Sequence, residues 1–162
     1  MNQHHSIPLL STLVGGVLAS AGIIGANQLV HAVGRTDLDL LKVLGLTFRR
    51  AGQAGVKPAG LIWYLFTGGV VVPLLYWLGL RLMGRAGPMP GLLLGVVHYF
   101  GANALLALTD TEPSEASTDS RGEGRAMGAF LRHYGSLEQV TNVLAHLGYG
   151  MTVGIAAGRR HV

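Results

Sequence analysis

An all-α protein, a four-span transmembrane helix bundle with short interfacial helices in its two long loops, is expected from three observations. Four apolar stretches, at about 7–30, 59–83, 90–108 and 137–157, are each long enough to cross a bilayer. Only 12% of the residues are charged against 49% hydrophobic, about half the charged share of an ordinary soluble domain. The charged residues lie between these stretches or at their ends. The polar stretches are too short for a second domain, so residues 1–162 read as one integral membrane domain.

Composition also removes classes of function. The absence of cysteine excludes disulfides, thiolate metal sites and cysteine nucleophiles. The net charge of +4 is scattered over loop ends, which suits anionic lipid headgroups rather than nucleic acid. No nucleophile motif, phosphate loop or zinc signature occurs, so neither an enzyme nor a bound cofactor is expected.

Ile7–Val30 is the first span. A cleaved signal peptide competes with it, because Ala19-Ser20-Ala21 resembles a processing site. The preceding MNQHHS has no basic residue and the apolar run is longer than a signal core, so a retained span is preferred. Gly15, Ala19, Gly22 and Ala26 make a small-residue stripe on which another helix can pack closely. The connection His31–Pro58 holds Asp37 as a candidate N-cap, followed by Leu38, Leu41, Leu44 and Phe48 at helical spacing among Lys42, Arg49 and Arg50. That pattern fits a short amphipathic helix on the membrane surface.

Ala59–Met83 is the second span. Trp63 and Tyr64 near one end and Tyr76 and Trp77 towards the other are expected to mark its two headgroup boundaries. Pro73 should kink it, with Gly68-Gly69 one turn earlier easing the bend, and Arg81 can snorkel to water. Gly84–Met89 is a tight turn and Pro90 the expected first helical residue of the third span, so spans two and three are antiparallel neighbours. The third span, Pro90–Leu108, is uncharged and about 28 Å long as a helix.

The second connection, Thr109–Gly135, opens with the acidic residues Asp110, Glu112, Glu115 and Asp119 in a Pro- and Ser-rich stretch. It ends in a possible interfacial helix over Ala126–Tyr134. Ser136–Gln139 has the form of a capping box opening the fourth span, Leu137–Ala157, and Arg159-Arg160 close it. With four spans, Arg81, Arg85, Arg159 and Arg160 share one side with the termini. The other eight Lys and Arg share the side of the two long connections, which the positive-inside rule places in the cytoplasm.

The residues of chemical interest are the polar ones inside the spans: His98, Asn103, Asn142 and His146, with Asn27, Gln28 and His31 near the end of span one. Gly91, Gly95, His98 and Ala102 form one stripe, and Asn142, His146, Gly150 and Gly154 another, so each histidine sits on the small-residue face of its helix. Both lie near mid-span. Three readings follow: a His–His or His–Asn contact that locks two helices, a relay for protons or small solutes, and axial ligation of a haem or other metal.

Taken together, PGLLLGVVHYFGANALLAL, a polar loop and LEQVTNVLAHLGYGMTVGIAAGRR resemble the C-terminal half of small bacterial inner-membrane proteins of the YagU type. His98, Asn142, Ala145-His146 and Arg159-Arg160 carry the resemblance, over roughly the last 75 residues. It implies a four-helix inner-membrane protein without an assigned activity and transfers no functional residue. The expected function is therefore a structural or accessory membrane protein packing through Gly/Ala faces, as a homo-oligomer or in a larger complex. A small transporter or proton-conducting channel built on His98 and His146 is the alternative.

Overall fold

The computed structural model describes residues 7–46, 52–109, 129–131 and 134–159. Among them the chain is all-helical, with no strand. In order come α1 (Leu9–Ala32), α2 (Leu40–Leu46), α3 (Gly52–Phe66), a π-helical segment (Thr67–Val71), α4 (Val72–Met83), α5 (Pro88–Thr109), a 3-10 turn (Ala129–Leu131) and α6 (Ser136–Gly158).

Among the described residues two stretches, not four, are long and apolar enough to cross a membrane: Leu9–Ala32 and Gly55–Met83. α5 and α6 have 22 and 23 residues. α5 carries His98 and Asn103 within its apolar run, and α6 carries Asn142 and His146.

Helices meet where side chains are smallest. α5 and α6 run antiparallel, and their glycines face each other: a methyl on Gly91 would strike the Gly150 carbonyl, and one on Gly150 the Gly91 carbonyl. A methyl on Gly95 would stand 2.8 Å from the His146 carbonyl oxygen. Gly150 and Gly154 are buried on α6, as Gly91 and Gly95 are on α5. Spacing four residues apart on both helices makes one flat strip on each, which lets the backbones touch. α1 packs on α6 through Gly15, whose added methyl would be 2.6 Å from the Ala156 Cβ, and on the π segment through Gly16 and Gly69. Ala19, Tyr76, Tyr149 and Val153 form the buried core, with Ile23, Val72 and Leu94 against it.

The stripe expected on α1 is used only in its first half. Gly15 and Ala19 are buried, together with Gly16, Ser20 and Thr12. Nothing approaches Gly22, and Ala26 is exposed. The helix following the first connection begins earlier than expected, at Gly52, and carries Pro58 inside it. α2 turns back on α3, with Gly45 against the Val56 carbonyl and Gly60 against the Leu41 carbonyl. Phe48, Arg49 and Arg50 lie outside the described residues, as do Asp110, Glu112, Glu115 and Asp119.

Three local expectations change for a physical reason. Asp39, not Asp37, caps α2, because its Oδ1 accepts the Lys42 N–H at 3.2 Å, one of the donors that an unclosed first turn leaves free. The capping box at Ser136–Gln139 does not form: Gly135 precedes the helix without a side-chain cap, and Gln139 Nε2 donates to the Tyr134 carbonyl at 3.4 Å. α5 starts at Pro88 rather than Pro90, since no N–H of the first turn has an intrahelical acceptor and both prolines fit there. Within Ala126–Tyr134 the structure shows the 3-10 turn Ala129–Leu131, with Phe130 and Leu131 at φ of +57° and +53°.

A π segment precedes Pro73. The Val72 N–H reaches back five residues to the Thr67 carbonyl. In that register the next donor would be residue 73 to the Gly68 carbonyl, but proline has no N–H. The Tyr149 hydroxyl donates to that carbonyl instead, from α6.

Candidate functional site

The four polar residues singled out within the expected spans come together along the α5–α6 seam. His98 sits beside Gly95 and His146 one turn from Gly150, so the close backbone approach brings the two imidazoles to a ring-centroid distance of 4.7 Å at 67°. Below them Asn142 Nδ2 donates to Asn103 Oδ1 at 3.5 Å. Asn103 is 1% exposed. Its Nδ2 donates to the Tyr99 carbonyl at 2.7 Å, and its Oδ1 accepts the Phe130 N–H at 2.8 Å. The amide thus ties the left-handed 3-10 turn to α5, while Phe130 packs tilted on Tyr99 at 5.7 Å.

Three tyrosines complete the cluster. Tyr76, read from sequence as a boundary marker, is 3% exposed in the bundle core. Its hydroxyl is 3.4 Å from His98 Nδ1, and its ring meets Tyr149 edge-on at 5.5 Å. Tyr149 also contacts His98 at 5.5 Å, and Tyr99 contacts His146 at 5.6 Å. The helical phase held this information: Gly69, Pro73, Tyr76 and Leu80 are the buried positions of one face. Trp77 does sit near a helix end, where its Nε1 donates to the Ile7 carbonyl at 3.0 Å.

The partner of His146 sets its proton position. His146 Nδ1 is 2.8 Å from the Asn142 carbonyl, which only accepts, so His146 carries its proton on Nδ1. His98 Nδ1 pairs with the Tyr76 hydroxyl, a group that can donate or accept, so this contact suits either His98 tautomer. Rings in edge contact leave no gap for a macrocycle between them, since two imidazoles on opposite sides of one ion need ring nitrogens about 4 Å apart with both rings beyond. Among the described residues no group of three His, Asp or Glu converges on one point.

Asn27, Gln28 and His31 belong to a second cluster, at the end of α1. Asn27 clamps the first connection as a backbone would: Nδ2 donates to the Leu38 carbonyl and Oδ1 accepts the Leu40 N–H, both at 3.1 Å. Asp39, 2% exposed, receives Gln28 Nε2 at 3.1 Å and pairs with Lys57 Nζ of α3 at 2.6 Å. His31 Nε2 is 3.9 Å from the same carboxylate. Burial pushes the Asp39 carboxyl up, but hydrogen bonds from Lys57, Gln28 and the Lys42 amide, with the Lys57 charge, hold it below the usual carboxylate value. Thr36 Oγ1 donates to Glu138 Oε1 at 2.7 Å, which ties the same connection to the start of α6. Sequence reasoning placed Asn27, Gln28 and His31 near each other but missed Asp39 and Lys57, whose meeting depends on the α2–α3 turn-back.

Neither a family model, nor a curated protein, nor a solved structure matches this chain, and the resemblance to the YagU type therefore rests on the residues quoted for it.

Proposed function

We propose that this chain is a four-span integral membrane protein, of a bacterial inner membrane, that serves as a structural or accessory subunit. The burial pattern supports the membrane reading. Many buried positions carry Gly, Ala, Ser, Thr or Asn beside the core residues Tyr76, Leu80, Tyr149 and Val153, while many large apolar side chains face outwards, Leu10 and Ile62 at 70% exposure and Leu82 at 80%. Water penalises such a surface and hydrocarbon does not. The lengths of α1, the α3–α4 helix, α5 and α6 suit four crossings, with His98 and His146 near mid-depth. The Lys and Arg count favours cytoplasmic long connections.

One observation carries the accessory reading. The intramembrane polar groups bind one another within a glycine-tight seam: His98 to Tyr76, His146 to the Asn142 carbonyl and Asn142 to Asn103. Such pairing locks helices at about 1 kcal/mol per contact. Native mass spectrometry of the protein extracted gently from its host membrane is expected to show added protein mass, and a bare monomer would sink the reading. His98→Ala and His146→Ala are expected to lower resistance to detergent unfolding without changing ion flux.

A relay is the second reading. Tyr149, Tyr76, His98, His146, Asn142 and Asn103 form a file of successive contacts, of which Tyr149–Tyr76 and His98–His146 are ring on ring. Liposomes carrying a pH-sensitive dye separate the two: flux in the native protein that disappears in a folded His98→Ala variant assigns conduction.

A further inference from the structure

We infer that the end of the bundle formed by the α4–α5 turn and the C-terminus of α6 is a binding face for the phosphodiester headgroup of an anionic lipid. The inference rests on the membrane reading above and adds a ligand class and a place.

The argument starts from charge. All eight Asp and Glu lie at positions 37, 39, 110–123 and 138, in the long connections or at the start of α6. None occurs in 7–36, 52–109 or 139–159. Arg81, Arg85 and Arg159 lie at the opposite end of the described bundle, and the described residues of α3, α4, α5 and of α6 beyond Glu138 hold no Asp or Glu.

The fold gathers these arginines. Gly84 closes α4 in the left-handed conformation, φ +67°, so that its own N–H and that of Arg85 return to the Arg81 and Leu80 carbonyls. The turn then passes against α6: a methyl on Gly158 would be 3.4 Å from the Gly87 nitrogen and 3.6 Å from the Ala86 carbonyl carbon. Arg85 and Arg159 are each one residue from that contact, and both side chains are exposed, as is Arg81.

Arg81 is also oriented. Its guanidinium lies 4.6 Å over the Trp77 ring, and Trp77 is fixed by its bond to the Ile7 carbonyl at the start of α1. A stacked guanidinium keeps its in-plane donors free, and the planar fork matches two phosphate oxygens. Indole rings at membrane ends sit at headgroup depth, where lipid phosphates are. Arg85 and Arg159, both exposed and each one residue from the contact between the turn and α6, supply further positive charge.

The test uses the full chain in nanodiscs of equal parts phosphatidylglycerol and phosphatidylcholine, released for native mass spectrometry. Phosphatidylglycerol adducts are expected to exceed phosphatidylcholine adducts several-fold, and Arg81→Gln with Arg85→Gln to reduce them to the phosphatidylcholine level. Arg85→Gln alone, at an exposed turn, carries the test if the Arg81 change disturbs the Trp77 stack. Arg35→Gln, at the other end, should leave retention unchanged. Equal loss with Arg35→Gln would show diffuse charge attraction and overturn the proposal, as would displacement of the lipid by millimolar inorganic phosphate. Chain that comes off membranes in a carbonate wash would defeat the membrane reading itself. An integrated chain without phosphatidylglycerol preference would defeat this inference alone.

Discussion

Tyr149 performs two tasks with one side chain: its ring packs on Tyr76 and His98, and its hydroxyl serves the carbonyl that Pro73 strands. Tyr149→Phe keeps the packing and leaves the Gly68 oxygen without a donor. The expected cost is about 1–3 kcal/mol, read as a lower midpoint in detergent denaturation. An unchanged midpoint would mean that Gly68 is served by another donor. Asp39 makes a pH prediction. Its folded pKa is below the usual 3.8. The stabilisation is therefore fully present above that value and lost as pH falls through the lower folded pKa. Asp39→Asn should remove this acid dependence at a cost of about 1–2 kcal/mol, modest because Lys57 is 54% exposed. Acid titration of the two proteins, followed by tryptophan fluorescence, checks it.

Helix existence could be read from apolar runs, because about 20 apolar residues in a row have few other solutions. The α5–α6 seam was also readable, since Gly91, Gly95, Gly150 and Gly154 share faces with the histidines at a period fixed by the helix itself. What escaped was set by distant partners. The donor for the carbonyl that Pro73 strands is Tyr149, which is 76 positions later by subtraction of the two numbers. Whether Asp37 or Asp39 caps α2 depends on Asn27 holding Leu38 and Leu40. Charge placement alone could not show that Lys57 folds back over Asp39. The seam is the element most sensitive to size: Gly91→Val would push a side chain into the Gly150 carbonyl. Such overpacking is expected to cost about 1–3 kcal/mol and to separate α5 from α6. A cysteine pair placed across the seam should then lose its crosslinking.

Considered whole, the molecule has one helix on which both α1 and α5 pack. α6 meets α1 at Ala156 and Val153, α5 at Gly150 and Gly154, the π segment through Tyr149 and the first connection through Glu138. It is also the last helix in chain order. Biosynthesis therefore presents α1, α4 and α5 to the membrane before α6, on which they pack, exists. Until α6 arrives, the Gly68 carbonyl has no donor, the Gly91 strip has no facing glycine and Thr36 has no Glu138. A chain stopped before Ser136 is expected to be inserted yet degraded quickly, and pulse-chase labelling of the full and shortened chains would reveal a longer lifetime for the full one. Quality control in the membrane thus has a simple cue: arrival of α6 and burial of the polar file are the same event.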